Sequence, residues 1–151
     1  MHPELSKRLT LEQLDEAMRR DGLFGSAVQL EEWSYPTFFI RFVTVSGPAR
    51  LLRFDARNYD LQPLDIAPVD PANRRPLELG AWMKRDGRPF PAHPLQGDAP
   101  FLCLKGTRSY YTHPHHSPNA TGERWEQHRS DLRIVDLLIF MRDRFAAGGW
   151  A

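Results

Sequence analysis

Cysteine is almost missing from this chain: Cys103 is the one thiol among 151 residues. A single cysteine cannot close an internal disulfide, so the sequence is no stapled secreted scaffold, and it fits a reducing compartment. Charge of one sign is missing too. Twenty basic residues stand against 19 acidic ones, for a formal charge of +1, and that leaves no basic footprint for nucleic acid. No apolar run is long enough to span a bilayer. The stretch MHPELSKRLTLEQLDEAMRRDG has no apolar signal core. The expected location is therefore the cytoplasm, with neither membrane nor nucleic acid as partner. GPARLLRF and GAWMKRDG lack the phosphate-loop pattern, and no GxSxG elbow occurs, which removes two common catalytic frameworks.

What is present is the composition of an ordinary globular protein, 41% hydrophobic and 26% charged, with a length that fits one domain over 1–151. Thr10 as N-cap and Gln13 three residues on predict a helix that buries Leu11, Leu14 and Met18 and stops at Gly22. The period then changes. AVQLEEWS (27–34), TFFIRFVTVS (37–46) and RLLRFDA (50–56) predict strands, with a turn at 47–49 and a fourth short strand around Leu64–Val69. Phe38, Ile40 and Phe42 would face one way, and Phe39, Arg41 and Val43 the other. Ten of the 13 prolines lie from Pro63 to Pro118, which predicts functional loops laid over a core. A last helix follows in SDLRIVDLLIFMRDRFAAGG, with Ser130 as N-cap, Gly148 as stop and Leu132, Val135, Leu138 and Ile139 as its apolar face. Trp125 would anchor its entry. The order is α+β: an N-terminal helix, an antiparallel meander of three to four strands, a long Pro/His-rich loop and a C-terminal helix.

The chemistry concentrates in PFLCLKGTRSYYTHPHHSPNATGERWEQH, which holds Cys103 and four of the six histidines, His113, His115, His116 and His128. Cys103 in FLCL reads either as a small buried hydrophobe or as a nucleophile or metal ligand. A nucleophile needs exposure and a polar neighbourhood, which Lys105, Arg108 and the imidazoles could supply. Cys103, Glu123, His113, His115 and His128 are also competent zinc ligands, although their spacing matches no standard finger or ribbon and adjacent His115 and His116 suit one ion poorly. The plain alternative is a solvated loop whose imidazoles titrate near neutral pH. The basic stretches NRRP (73–76) and MKRDGR (83–88) read as solvated loop, with a protein-docking surface as the alternative.

The order of these segments resembles the ubiquitin-conjugating enzyme fold. RFDARNYDLQPLDIAPVDP is similar to the family's strand, aromatic turn and proline before the fourth strand, with Tyr59 at the aromatic, Asp60 where the family has proline, and Pro63 at the downstream proline. HPLQGDAPFLCL resembles a His-Pro-Asn motif followed by Gly-x-x-Cys-Leu, with His93 ten residues before Cys103. WEQHRSDLRIVDLLIFM resembles the tryptophan that leads into the following helix, with Ser130 at the family's threonine. The resemblance runs from about Thr10 to Phe145. It implies that Cys103 takes a ubiquitin-like protein modifier as a thioester from an adenylating activating enzyme and passes it to an amine on a target protein. It implies no cofactor. The family's asparagine falls at Leu95, the gap between Cys103 and Trp125 is longer than in the eukaryotic enzymes, and the family's later helices have no counterpart after Phe145. These departures are closer to compact prokaryotic relatives with a Cys-Glu-His-His signature, one that has been taken for a metal site. One of His113, His115, His116 or His128 is then expected to stand beside Cys103 as donor or base. Two other readings stay open: a zinc protein, and an inactive member of the fold that only binds a partner.

Overall fold

The computed structural model describes residues 2–45, 47–82, 87–88, 90–95, 97 and 100–150. It is an α+β arrangement in the order α1 (Pro3–Arg19), β1 (Val28–Ser34), β2 (Thr37–Phe42), β3 (Arg50–Asp55), β4 (Asp65–Val69), α2 (Arg108–Thr112), α3 (Pro118–Thr121), a 3-10 turn (Trp125–Gln127) and α4 (Ile134–Ala146). The four strands form one antiparallel sheet in the order β1-β2-β3-β4. Of the three or four strands expected, four are present among the described residues.

α1 begins eight residues earlier than its sequence signal, N-cap to N-cap. His2 is the N-cap, with Pro3 in the first turn, a position where a missing N–H costs nothing. Thr10 lies inside the helix and is buried. Its hydroxyl donates to Ser6 O at 2.7 Å, and the Ser6 hydroxyl donates to Ala56 O at 3.0 Å. The buried stripe is thus Ser6, Thr10, Leu14 and Ala17. Its first half is small and polar, which hides it from an apolar-periodicity reading. Met18, expected on that face, is exposed.

The sheet alternates as expected for one covered face: Phe38, Ile40 and Phe42 are buried and their neighbours partly exposed. Phe38 stacks on Phe54 across the β2–β3 ladder at 4.8 Å. α4 reaches the same face through Phe145, whose ring lies 5.0 Å from Phe42 and 5.8 Å from Trp82. Residues of α1, the sheet and α4 share one hydrophobic cluster.

α4 starts at Ile134, not after Ser130. The Asp136 carboxylate accepts from Arg133 N–H at 3.1 Å, and Gln13 Oε1 accepts from Ile134 N–H at 2.9 Å. The first turn is capped from within and from α1, while the Ser130 hydroxyl donates to Asp131. Trp125 is buried just before α4 and donates from Nε1 to Asp60 O at 2.9 Å. Among the described residues no helix is long and apolar enough to cross a membrane.

In the first basic stretch, Arg74 pairs with Glu32 and lies 4.8 Å over the Phe39 ring, so it is knitted to the outer face of the sheet. Residues 83–86 of the second lie outside the described residues.

Candidate active site

The chain reaches Cys103 from a long connection after β4. Phe101, Leu102 and Leu104 are buried, whereas Cys103 between them is exposed. The buried-hydrophobe reading of this cysteine is therefore set aside. The backbone does the turning: Cys103 has φ +47°, in the left-handed region that L-residues enter at a cost of about 1–2 kcal/mol. Leu102 and Leu104 can then both point inward while the thiol points out. Gly106 fixes the far side of the kink. It has φ +95°, and a Cβ there would come within 2.8 Å of Leu137 Cδ2, so only glycine lets this loop settle on α4.

The Cys103 Sγ lies 3.6 Å from His116 Nε2. The His116 ring is stacked on Tyr110 with centroids 4.3 Å apart and 12° between planes. The Tyr110 hydroxyl donates to Glu123 at 3.3 Å, and Lys105 Nζ donates to the other Glu123 oxygen at 3.1 Å. α2 carries Tyr110, capped by the Thr107 hydroxyl. A row of contacts thus runs from the thiol through an imidazole and a phenol to an ion pair. The Lys105 hydrogen bond holds the Glu123 carboxyl below its ordinary range. Partial desolvation pushes the Cys103 thiol above its ordinary range, which favours the protonated thiol beside His116.

The other histidines fall in different places. His113 stacks on Phe101 at 4.9 Å and sits 5.4 Å from His116 and 5.2 Å from His115, ring to ring. Its Nδ1 accepts from His115 N–H at 3.1 Å. Desolvation first, then the neighbouring rings of His93, His115 and His116, hold the His113 imidazolium below its ordinary range. His115 is exposed, and His128 is half-buried at the end of the 3-10 turn. Among the described residues His116 alone meets the thiol at hydrogen-bond distance. Among the described residues, too, no three His, Cys, Asp or Glu side chains converge as a metal would need. Of the candidate zinc ligands, Glu123 faces Lys105 and Tyr110.

His93 is buried, and its tautomer follows from its partners. Its Nδ1 accepts from Leu95 N–H at 3.1 Å, so the ring proton sits on Nε2 and is donated to Ser109 O at 3.0 Å. His93 ties the loop before Cys103 to α2. Leu95 is 71% exposed, and its own N–H is already used by His93, so the position supplies no oxyanion donor. Tyr110 carried no sequence signal of a role, because its link to Cys103 runs through His116.

Beside this loop lies a cleft of about 520 Å³, lined by Arg53, Asp65, Ile66, Ala67, Phe101, Leu102 and Arg108 among others. No family model matches the sequence. The chain is 31% identical over 144 residues to the uncharacterized protein y4jH of Sinorhizobium fredii (strain NBRC 101917 / NGR234), a match that covers 76% of this chain and 65% of the relative. The chain thus spans a little under two-thirds of that relative's length.

Proposed function

We propose that the chain is a conjugating protein of the ubiquitin-conjugating type, which carries a ubiquitin-like modifier on Cys103 and transfers it to an amine of a target protein. The observation that carries this reading is an exposed thiol, held out on a left-handed residue, with an imidazole 3.6 Å away. The element order supports it: N-terminal helix, four-stranded meander, long connection, then the cysteine just before a short helix. The chemistry balances with the residues at hand. In loading, Cys103 Sγ bonds the modifier's C-terminal carbonyl carbon as the activating enzyme's C–S bond breaks. The thiol proton passes to His116 Nε2 and from there to the departing sulfur. In transfer the amine nitrogen bonds that carbon, the Cys103 C–S bond breaks, and His116 relays a proton from the amine to the sulfur. Once protonated, His116 also offers the donor that Leu95 lacks, next to the developing oxyanion.

The test uses a trap. In Cys103→Lys, expressed in the source organism, intact mass should show a stable isopeptide between residue 103 and the C-terminal carboxyl of a ubiquitin-like protein. Wild type should show the same mass only until a thiol reductant is added. The absence of any acyl mass on residue 103 in both forms would overturn the reading.

A further inference from the structure

β4 is the last strand in the sheet order, so among the described residues one of its edges has no strand beside it. Backbone groups point alternately to the two sides of a strand. On the side away from β3, Leu64 O accepts from Arg108 N–H at 2.7 Å and Pro68 O accepts from Leu77 N–H at 3.1 Å. The edge is closed at both ends, by bridges of Leu64 with Thr107 and of Val69 with Pro76. Ile66 lies midway between Leu64 and Pro68, so its N–H and C=O turn to the side that their two carbonyls face. Among the described residues no backbone group meets them. The Ile66 side chain, set across the plane of the sheet, belongs to the core. The gap in the edge coincides with the cleft, whose lining includes Asp65, Ile66, Ala67 and, at its ends, Pro76 and Arg108.

The charges in the cleft are unbalanced. Arg53 pairs with Asp65 at 3.5 Å, while the Arg108 guanidinium, among the described residues, donates to a neutral carbonyl, Arg57 O, at 3.3 Å. Among the described residues the Nε atoms of both arginines are buried with no acceptor, a state that costs free energy until an acceptor arrives. The cleft therefore offers one open backbone donor and acceptor flanked by an excess positive charge.

We infer that this cleft binds an extended segment of the target protein, paired through its backbone with Ile66 and carrying an acidic side chain to Arg108 and Arg53. The mode is addition of a strand to a sheet edge. The choice of the target rests on the conjugation reading above: the modifier would arrive tethered to Cys103 by a covalent bond, whereas a target has to be held by a surface next to the thiol. Phe101 and Leu102, which line the cleft, immediately precede Cys103.

The probe is a short capped peptide of alternating valine and threonine with one central glutamate, set against its glutamine counterpart. Titrated into the full chain, the glutamate peptide should shift the Ile66 amide resonance and bind about tenfold more tightly than the glutamine peptide, a ratio set by one charge-assisted hydrogen bond. Arg108→Gln should remove that ratio. Equal binding of the two peptides, an unmoved Ile66 amide, or a ratio that survives Arg108→Gln would each overturn the inference. The trap at Cys103 reads separately. An acyl mass on residue 103 with no peptide binding sinks the cleft and leaves the conjugation reading. Peptide binding with no acyl mass does the reverse.

Discussion

A left-handed φ at Cys103 is a cost that a merely buried cysteine would have no reason to carry, and the return for it is a thiol that faces His116. Because burial holds the thiol above its ordinary range, little thiolate exists near neutral pH, and attack depends on a base. The rate of Cys103 alkylation by iodoacetamide near neutral pH should therefore depend on His116, the imidazole beside the thiol. In His116→Ala that rate should fall, and alkylation should then need pH above the ordinary thiol range. Tyr110→Leu, which removes the ring under His116, should behave in the same way, and Tyr110→Phe should keep the wild-type profile. A profile unchanged in His116→Ala would sink the pair. The sequence brought Cys103 and the four downstream histidines into view, because residue type alone marks them. Which imidazole meets the thiol was hidden, since that depends on one backbone angle and on a stack between residues six apart. Glu123 attracted notice as a possible ligand, yet its partner turned out to be Lys105, 18 residues upstream.

At the scale of the elements, Gln13 is the joint. Its side-chain oxygen accepts from the Tyr59 hydroxyl at 2.7 Å and from Ile134 N–H at 2.9 Å, which ties α1 to the loop after β3 and to the first turn of α4. Gln13→Ala would leave a buried phenol and a helix N-terminal amide without that acceptor, at a cost of about 1–3 kcal/mol. Gln13→Glu keeps the acceptor and should retain most of the stability. Urea unfolding of the two variants measures this, and a Gln13→Ala midpoint equal to wild type would remove the joint. The sequence pointed to Gln13 through a capping box, but the box is absent. The pattern placed a helix there and misplaced its start, since the Thr10 hydroxyl is satisfied on the helix's own Ser6 carbonyl and the Ser6 hydroxyl on Ala56 O outside it. The strands were more legible. Phe38, Ile40 and Phe42 alternate with partly exposed neighbours over the length of β2, and period two has no rival reading in so aromatic a run. What sequence could not supply was the free edge at Ile66, which depends on where Thr107–Arg108 and Pro76–Leu77 return to β4.

For the molecule as a whole, these placements set how stability answers to pH, with a limb on each side of neutrality. On the alkaline side, desolvation by burial raises Tyr59, and desolvation followed by nearby Glu123 pushes Tyr111 up to about 12. A folded pKa above the unfolded one means that this stability is whole below the ordinary tyrosine range. It is then lost as pH rises, because the unfolded chain gives up protons that the fold retains. On the acid side the sign reverses. His113 is held below the ordinary imidazole range by desolvation and by His93, His115 and His116. The unfolded chain therefore takes up a proton that the fold refuses, and stability declines as pH falls from that range through the folded value. The urea midpoint against pH should thus be a plateau with two shoulders. Tyr59→Phe should flatten the alkaline shoulder, with the remainder due to Tyr111 and Tyr110, and His113→Gln should flatten the acid one. Because His113 lies over Phe101 at the site while Tyr59 lies in the core beneath α1, the two substitutions should act independently, and the double variant should show the sum of both changes. If the acid shoulder survives His113→Gln undiminished, the imidazole cluster around Phe101 does not carry it.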